Sequence, residues 1–239
     1  MIPVLKKGSK LSPEDLREGF LVLINKPADW TSFDVVNKVR RIVGVKKVGH
    51  GGTLDPFATG LLILGVGRKA TRSLQEVIGA TKRYRAVIRF GRVTDSYDRT
   101  GRIIGEQTAR HLTRQQLEQA LSEMTGTIMQ TPPMFSAKKK NGVRLYKLAR
   151  KQQQVERDPI PVTIYRAQVI EFDPPLVTLD LEVSKGTYIR SFAHDLGQKL
   201  AVGGSLEELE RTEVGPFKIA ESFTVAQFEH LWKTEYSGT

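Results

Sequence analysis

Residues 48–60 read VGHGGTLDPFATG, a histidine among glycines and an aspartate set against a proline, between two apolar runs. A carboxylate in such a loop can serve as a nucleophile or a base. Flanking glycines would let another backbone come close. The same residues also make an ordinary turn, because Asp-Pro starts turns and glycine supplies positive φ. The loop alone leaves both readings open for Asp55 and His50. Tyr84 is in the same position: it is either a core aromatic or a ring offered to a ligand. Arg190, which follows the run GTY, either pairs with a carboxylate at a helix start or holds an anion.

Other chemistries fail on spacing. GVGRKAT lacks the phosphate-loop spacing, and GHGG is not a dinucleotide fingerprint. DSYDRTGRIIGE has the length of a calcium loop, but Tyr97 and Arg99 stand where carboxylates are needed. Four scattered histidines offer no metal-ligand spacing, and no G-x-S-x-G elbow is present. The chain has no cysteine, which removes disulfides, thiolate zinc sites and cysteine catalysis, and fits a reducing cytoplasm.

Charge points to a polyanionic partner. Lys and Arg number 37 against 26 Asp and Glu, a formal charge of +11. The excess sits in blocks. Residues 133–155 carry Lys138, Lys139, Lys140, Arg144, Lys147, Arg150 and Lys151 with no acidic residue, and residues 82–92 carry five basic residues and none acidic. From Ser205 onward seven glutamates face three basic residues. No apolar run is long enough to cross a bilayer, the N-terminus lacks a signal-peptide core, and no lysine-rich amphipathic helix marks a membrane surface.

The elements that must position these residues follow from periodicity. FLVLINKP reads as a buried strand stopped by Pro27. Thr31 or Ser32 caps a helix whose Val35, Val36, Val39, Ile42 and Val43 share a face, with Gly44 as its stop. GLLILGVG is a second buried strand. KRYRAVIRFG alternates, with Tyr84, Ala86, Ile88 and Phe90 on one face and Arg83, Arg85 and Arg89 on the other. Thr113 and Gln116 form a capping box for a helix ended by Gly126. PVTIYRAQVI and LVTLDLEVSKG are antiparallel strands, residues 191–202 form a helix, and Thr224 with Gln227 starts the last one. The order shows no βαβ rhythm and no repeat. It predicts an α/β (α+β) fold with a mixed, mostly antiparallel sheet, as one domain over residues 1–239. Residues 130–158, with a short helix-like VRLYKLARK, read as an insertion.

These stretches together resemble the TruB family of tRNA pseudouridine synthases. GHGGTLDPFATGLL is similar to that family's catalytic motif, and LVLINKPADWTSFDVV to its lysine-proline motif. KRYRAVIRFGRVTDSYDRTG resembles its tyrosine-bearing strand and the loop after it. PPMFSAKKKNGVRLYKLAR resembles its RNA-contacting insertion, and SKGTYIRSFAHDLG its tyrosine-arginine motif. The five occur in the family's order and span most of residues 20–217.

The resemblance implies the pseudouridine synthase fold and a reaction without cofactor or metal. A uridine in the T-loop of tRNA, position 55, would be flipped out and isomerised. Asp55 would be the nucleophile, with Tyr84 and Arg190 as catalytic companions. Arg190 would keep the carboxylate anionic against the effect of burial. His50, Tyr84, Tyr188, Leu209 and Lys26 would contact substrate. The insertion's Lys138, Lys139, Lys140, Arg144, Lys147, Arg150 and Lys151 would grip RNA phosphates. The expected molecule is a cytoplasmic monomer that acts on the tRNA T-arm and does not bind membrane. Three departures stand out. Glu210 occupies a position that is often basic, Gln152 one that is often glycine, and the chain ends at Thr239 where many members continue into an RNA-binding PUA domain. That domain is therefore expected to be absent or reduced. The competing readings are a related synthase with another RNA target, an RNA-binding module without catalysis, and a glycosidase acting on free nucleosides. The Asp55, Tyr84 and Arg190 set argues against the second and the basic blocks against the third.

Overall fold

The computed structural model describes residues 2–136, 139–140, 143–144 and 155–236. Its elements begin with β1 (Val4–Leu5), α1 (Pro13–Glu18), β2 (Phe20–Lys26), α2 (Ser32–Val43), β3 (Val48–His50) and β4 (Thr59–Val66). Then come α3 (Arg68–Gly79), β5 (Lys82–Phe90), β6 (Arg92–Thr94), β7 (Ile103–Glu106), α4 (Arg114–Glu123) and β8 (Gly126–Gln130). β9 (Lys139–Lys140), β10 (Val143–Arg144), β11 (Ile160–Asp173) and β12 (Leu176–Val183) follow. The last are α5 (Ile189–Lys199), β13 (Gly204–Val214), β14 (Phe217–Lys218), β15 (Phe223–Thr224) and α6 (Val225–Glu235). The fold is mixed α/β and most strand pairings are antiparallel, as the sequence leads one to expect.

The chain divides into two compact units, Met1–Arg83 with Glu210–Thr239, and Tyr84–Leu209. In the first unit β2 pairs antiparallel with β4 along its whole length, Phe20 opposite Val66 and Lys26 opposite Gly60. β1 and β15 add to β2 in parallel. β4 is met by β3, antiparallel, and by β13, parallel at Glu210 and Arg211. Both strands are apolar on both faces because helices cover both. Phe20, Val22, Ile24, Leu62 and Leu64 pack with Val35, Val36 and Val39 of α2 and Phe228 and Trp232 of α6. The alternate residues Leu21, Leu23, Leu61 and Ile63 pack with Ala70, Leu74 and Val77 of α3. Period-two alternation of side chains thus feeds two separate cores. α2 has the expected limits. Thr31 and Asp34 close a capping box, and Gly44 ends the helix at φ 69°.

In the second unit the strand order is β5-β12-β11-β8, and β6 and β7 form a separate hairpin. β5 alternates as expected: Tyr84, Ala86, Ile88 and Phe90 are buried. β11 and β12 are antiparallel from Ile164 opposite Val183 to Asp173 opposite Leu176. α4 starts at its Thr113–Gln116 capping box but stops before Gly126. Met124 is the cap, and Gly126, at φ 96°, opens β8 instead. α5 begins at Ile189, two residues ahead of the expected start, and ends at Lys199. In the insertion, β9 and β10 pair antiparallel, Lys140 opposite Val143. Among the described residues no helix is long and apolar enough to cross a membrane.

Candidate active site

Asp55 stands at the first position of a four-residue turn, closed by a hydrogen bond of 3.1 Å from the Ala58 amide to the Asp55 carbonyl. Pro56 fills the second position, where its fixed φ suits the turn. Both neighbours of Asp55 are pinned. Ser32, buried in the first turn of α2, accepts from the Leu54 amide at 2.9 Å and donates to the Leu54 carbonyl at 3.2 Å. The Pro56 carbonyl accepts from the Asp29 amide at 2.8 Å. The aspartate itself is half-buried, between exposed Thr53 and Pro56. The turn chemistry legible in the sequence is therefore present, and it presents a carboxylate at the surface of its unit.

Beneath the turn lies Lys26, with no exposed surface. Its ammonium donates to the carbonyls of Pro27 at 2.8 Å, Trp30 at 2.6 Å and Pro56 at 3.0 Å. All three donors are thus spent on protein, which is the placement of a residue that shapes the turn. Burial lowers its pKa to about 8; the carboxylates of Asp29, Asp55 and Asp34 act against that fall, and the charge of Arg211 adds to it. His50 ends β3 in the same unit, opposite Leu64. Burial, then the Arg211 charge, lower its pKa, and a backbone hydrogen bond at Gly52 offsets part of this. The imidazole is accordingly biased toward its neutral form.

Arg211 is the residue that the sequence reading passed over. It is 1% exposed, and its Nε donates to the Leu61 carbonyl at 2.8 Å while Nη2 donates to the Gly52 carbonyl at 3.2 Å. A signal existed: in LEELERTEV, Arg211 stands two residues after the buried Leu209, on the inward phase of a strand. The many glutamates and a change of phase after Leu206 hid β13 as a strand altogether.

The second unit holds Tyr84, Tyr188, Arg190 and Leu209. Tyr84 is buried near the start of β5, and Leu209 is buried on β13. Tyr188 is the N-cap of α5, held by the Gln130 side chain. Gln130 Oε1 accepts from the Tyr188 amide at 2.8 Å and its Nε2 donates to the Tyr188 carbonyl at 3.1 Å. Arg190 is buried in the first turn of α5. Its Nη1 lies 3.4 Å from Oδ2 of buried Asp98 and donates to the Ser96 carbonyl at 3.3 Å, and Nη2 donates to the Phe135 carbonyl at 2.7 Å. Asp98 accepts in turn from Ser96 Oγ at 2.8 Å and Thr100 Oγ1 at 2.6 Å. The loop between β6 and β7 is therefore built around a fixed guanidinium. Tyr97, at φ 66°, stacks on His194 with ring centroids 3.9 Å apart.

Of the expected phosphate-gripping residues, Lys139, Lys140 and Arg144 lie on the β9–β10 hairpin. Lys138, Lys147, Arg150 and Lys151 lie outside the described residues, as does Gln152. The basic face of β5 is partly neutralised, Arg83 by Glu213 at 3.5 Å and Arg85 by Glu171 at 3.3 Å. Among the described residues no group of three or more histidine, aspartate or glutamate side chains is arranged to hold a metal ion.

Residues 40–189 match the family model described as TruB family pseudouridylate synthase (N terminal domain), and residues 190–239 that of the tRNA pseudouridylate synthase B C-terminal domain. Similar curated proteins include the tRNA pseudouridine synthase B of Symbiobacterium thermophilum, 49% identical over 88% of this chain and 71% of that protein. The protein of the same name from Solibacter usitatus is 47% identical over 88% of this chain and 72% of its own length. Among solved structures, a chain in a Cbf5-Nop10-Gar1 complex is similar at TM-score 0.70 and 27% identity. The match covers 96% of this chain and 63% of that one, so the present chain spans less than two thirds of its length.

Proposed function

Since this chain belongs to the TruB family of pseudouridylate synthases, we propose that it isomerises the uridine at position 55 in the T-loop of tRNA, with Asp55 as nucleophile. The observation that carries the reading is the pinned turn: a carboxylate held at a surface by backbone bonds on both sides, above a buried ammonium. A pure RNA binder gains nothing from a fixed carboxylate facing an anionic ligand. The names of the curated relatives support tRNA as substrate.

The reaction breaks the bond from ribose C1′ to uracil N1, turns the base, and joins C1′ to C5. Neither oxidation nor reduction occurs. The Asp55 carboxylate can attack C1′, attack C6 of the ring, or remove a ribose proton to give a glycal. A stacked uridine must first leave its stack. We assign Tyr84 a face against the base and a hydroxyl able to move a proton, and Arg190 the role of a fixed cation. Tyr188 and Leu209 line the base, and His50, biased to its neutral form, meets the displaced loop. Lys138 to Lys151 hold the phosphates, as a monomer acting in the cytoplasm.

Mass spectrometry of tRNA incubated with and without the protein tests the reading. Conversion of the T-loop uridine supports it. Conversion of another uridine replaces the target, and no conversion with intact binding leaves the RNA-binding module.

A further inference from the structure

We propose that Arg211 is a positioning residue that clamps the two ends of the loop carrying Asp55, an inference that rests on the catalytic reading of that aspartate. β13 runs parallel to β4 with Glu210 opposite Thr59 and Arg211 opposite Gly60. From there the guanidinium turns under the loop. Nε takes the Leu61 carbonyl at 2.8 Å and Nη2 the Gly52 carbonyl at 3.2 Å. Gly52 and Leu61 are the two ends of the segment that contains Asp55, so one rigid fork fixes their separation. The approach leaves no slack: at Gly60, φ 106°, a side chain would begin 2.6 Å from the Arg211 backbone nitrogen.

Energetics point the same way. A guanidinium at 1% exposure has lost its water. Among the described residues it forms no salt bridge, and its bonds go to carbonyls alone. A packed apolar side chain of similar volume commonly serves stability as well or better than such a buried charge. What the apolar chain lacks is the fork that holds both carbonyls and the positive charge beneath the loop. That charge is felt nearby, where it lowers the pKa of both Lys26 and His50. Lys26 holds the tip of the turn through Pro56, and Arg211 holds its base.

The test uses the full chain with tRNA, comparing wild type, Arg211→Met and Arg211→Lys, each first shown folded by its amide NMR spectrum. For Arg211→Met the single-turnover rate should fall at least about thirtyfold while tRNA affinity stays within about threefold, with Arg211→Lys recovering part of the loss. A folded Arg211→Met variant with a rate within about threefold of wild type overturns the proposal, as does an affinity loss that accounts for the whole effect. If neither variant folds, hydrogen exchange at Arg211 Nε in wild type decides. Protection equal to that of the Gly51 amide, which is bonded to the Ile63 carbonyl at 2.8 Å, supports the clamp. Exchange as fast as in free arginine overturns it. A wild type that forms no pseudouridine fails the catalytic reading instead, and the Nε exchange still decides the clamp.

Discussion

The ammonium of Lys26 lies 3.0 Å from the carbonyl oxygen of Pro56, the residue that follows Asp55. With its other donors on Pro27 and Trp30, this buried cation ties the end of β2 to the turn that presents the carboxylate. A lysine with no exposed surface is costly to keep charged, and burial accordingly lowers its pKa to about 8.

Lys26 is therefore expected to give the reaction a basic limb. Its folded pKa lies below the ordinary 10.5, so its penalty on stability is full below pH 8 and is relieved as pH rises from 8 toward 10.5. Activity should run the other way. Above pH 8 the neutral amine keeps two N–H groups for three carbonyls and no longer places a charge beside Asp55. The turnover rate should decline through about pH 8, and Lys26→Met should be slower at pH 7 and lack that limb. A wild-type rate constant from pH 7 to 9 would contradict this role.

Arg190 has a structural role beside the one proposed for it in the reaction. It is buried against Asp98 and two carbonyls. Removing one partner of a buried ion pair costs roughly 3–5 kcal/mol. Arg190→Ala should lower the urea midpoint accordingly, in addition to abolishing turnover. An unchanged midpoint would show that the Asp98 pair contributes nothing to the fold.

Asp195 in α5 offers a pH-dependent stability change remote from Asp55 in sequence. Burial raises its pKa to about 6. The folded value is above the ordinary 3.8, so the cost of Asp195 is absent well below pH 3.8, grows between pH 3.8 and 6, and is full above 6. Asp195→Asn should raise Tm at pH 7 by a few degrees and leave it unchanged near pH 3. An equal gain at both values would assign the effect to something other than ionisation.

Much of this was legible in the sequence because the signals were local. The capping boxes at Thr31, Thr113 and Thr224, the Gly44 stop and the alternation of β5 each depend on a few neighbouring residues, and all are present. Among the longer elements two were not read from the sequence. α3 places Ala70, Leu74 and Val77 at helical spacing, but it starts at Gly67 without a side-chain cap, so no capping signal marked its start. β13 is rich in glutamate, and its burial phase shifts between Leu206 and Leu209. Arg211 was missed with it, because the two carbonyls that it bonds are far away in sequence. Lys26 shows the complementary limit: the lysine-proline motif drew attention to the residue, but only the fold shows its three donors turned onto carbonyls.

The lysine-rich insertion should act through counterion release. Neutralising Lys138, Lys139 and Lys140 together should weaken tRNA binding and reduce the slope of log affinity against log salt by roughly 2 to 3. An unchanged slope would remove these residues from the phosphate grip.

Asp55 is tested most directly by one substitution and one readout. Asp55→Asn leaves in place the hydrogen bond that closes the turn, since the Ala58 amide bonds the backbone carbonyl of residue 55. With full-length tRNA and modification mapping by mass spectrometry, wild type should convert the T-loop uridine. Asp55→Asn should convert none while binding tRNA within about tenfold, roughly 1.4 kcal/mol. Pseudouridine formed by the Asp55→Asn protein at the wild-type site would contradict the assignment of Asp55 as nucleophile.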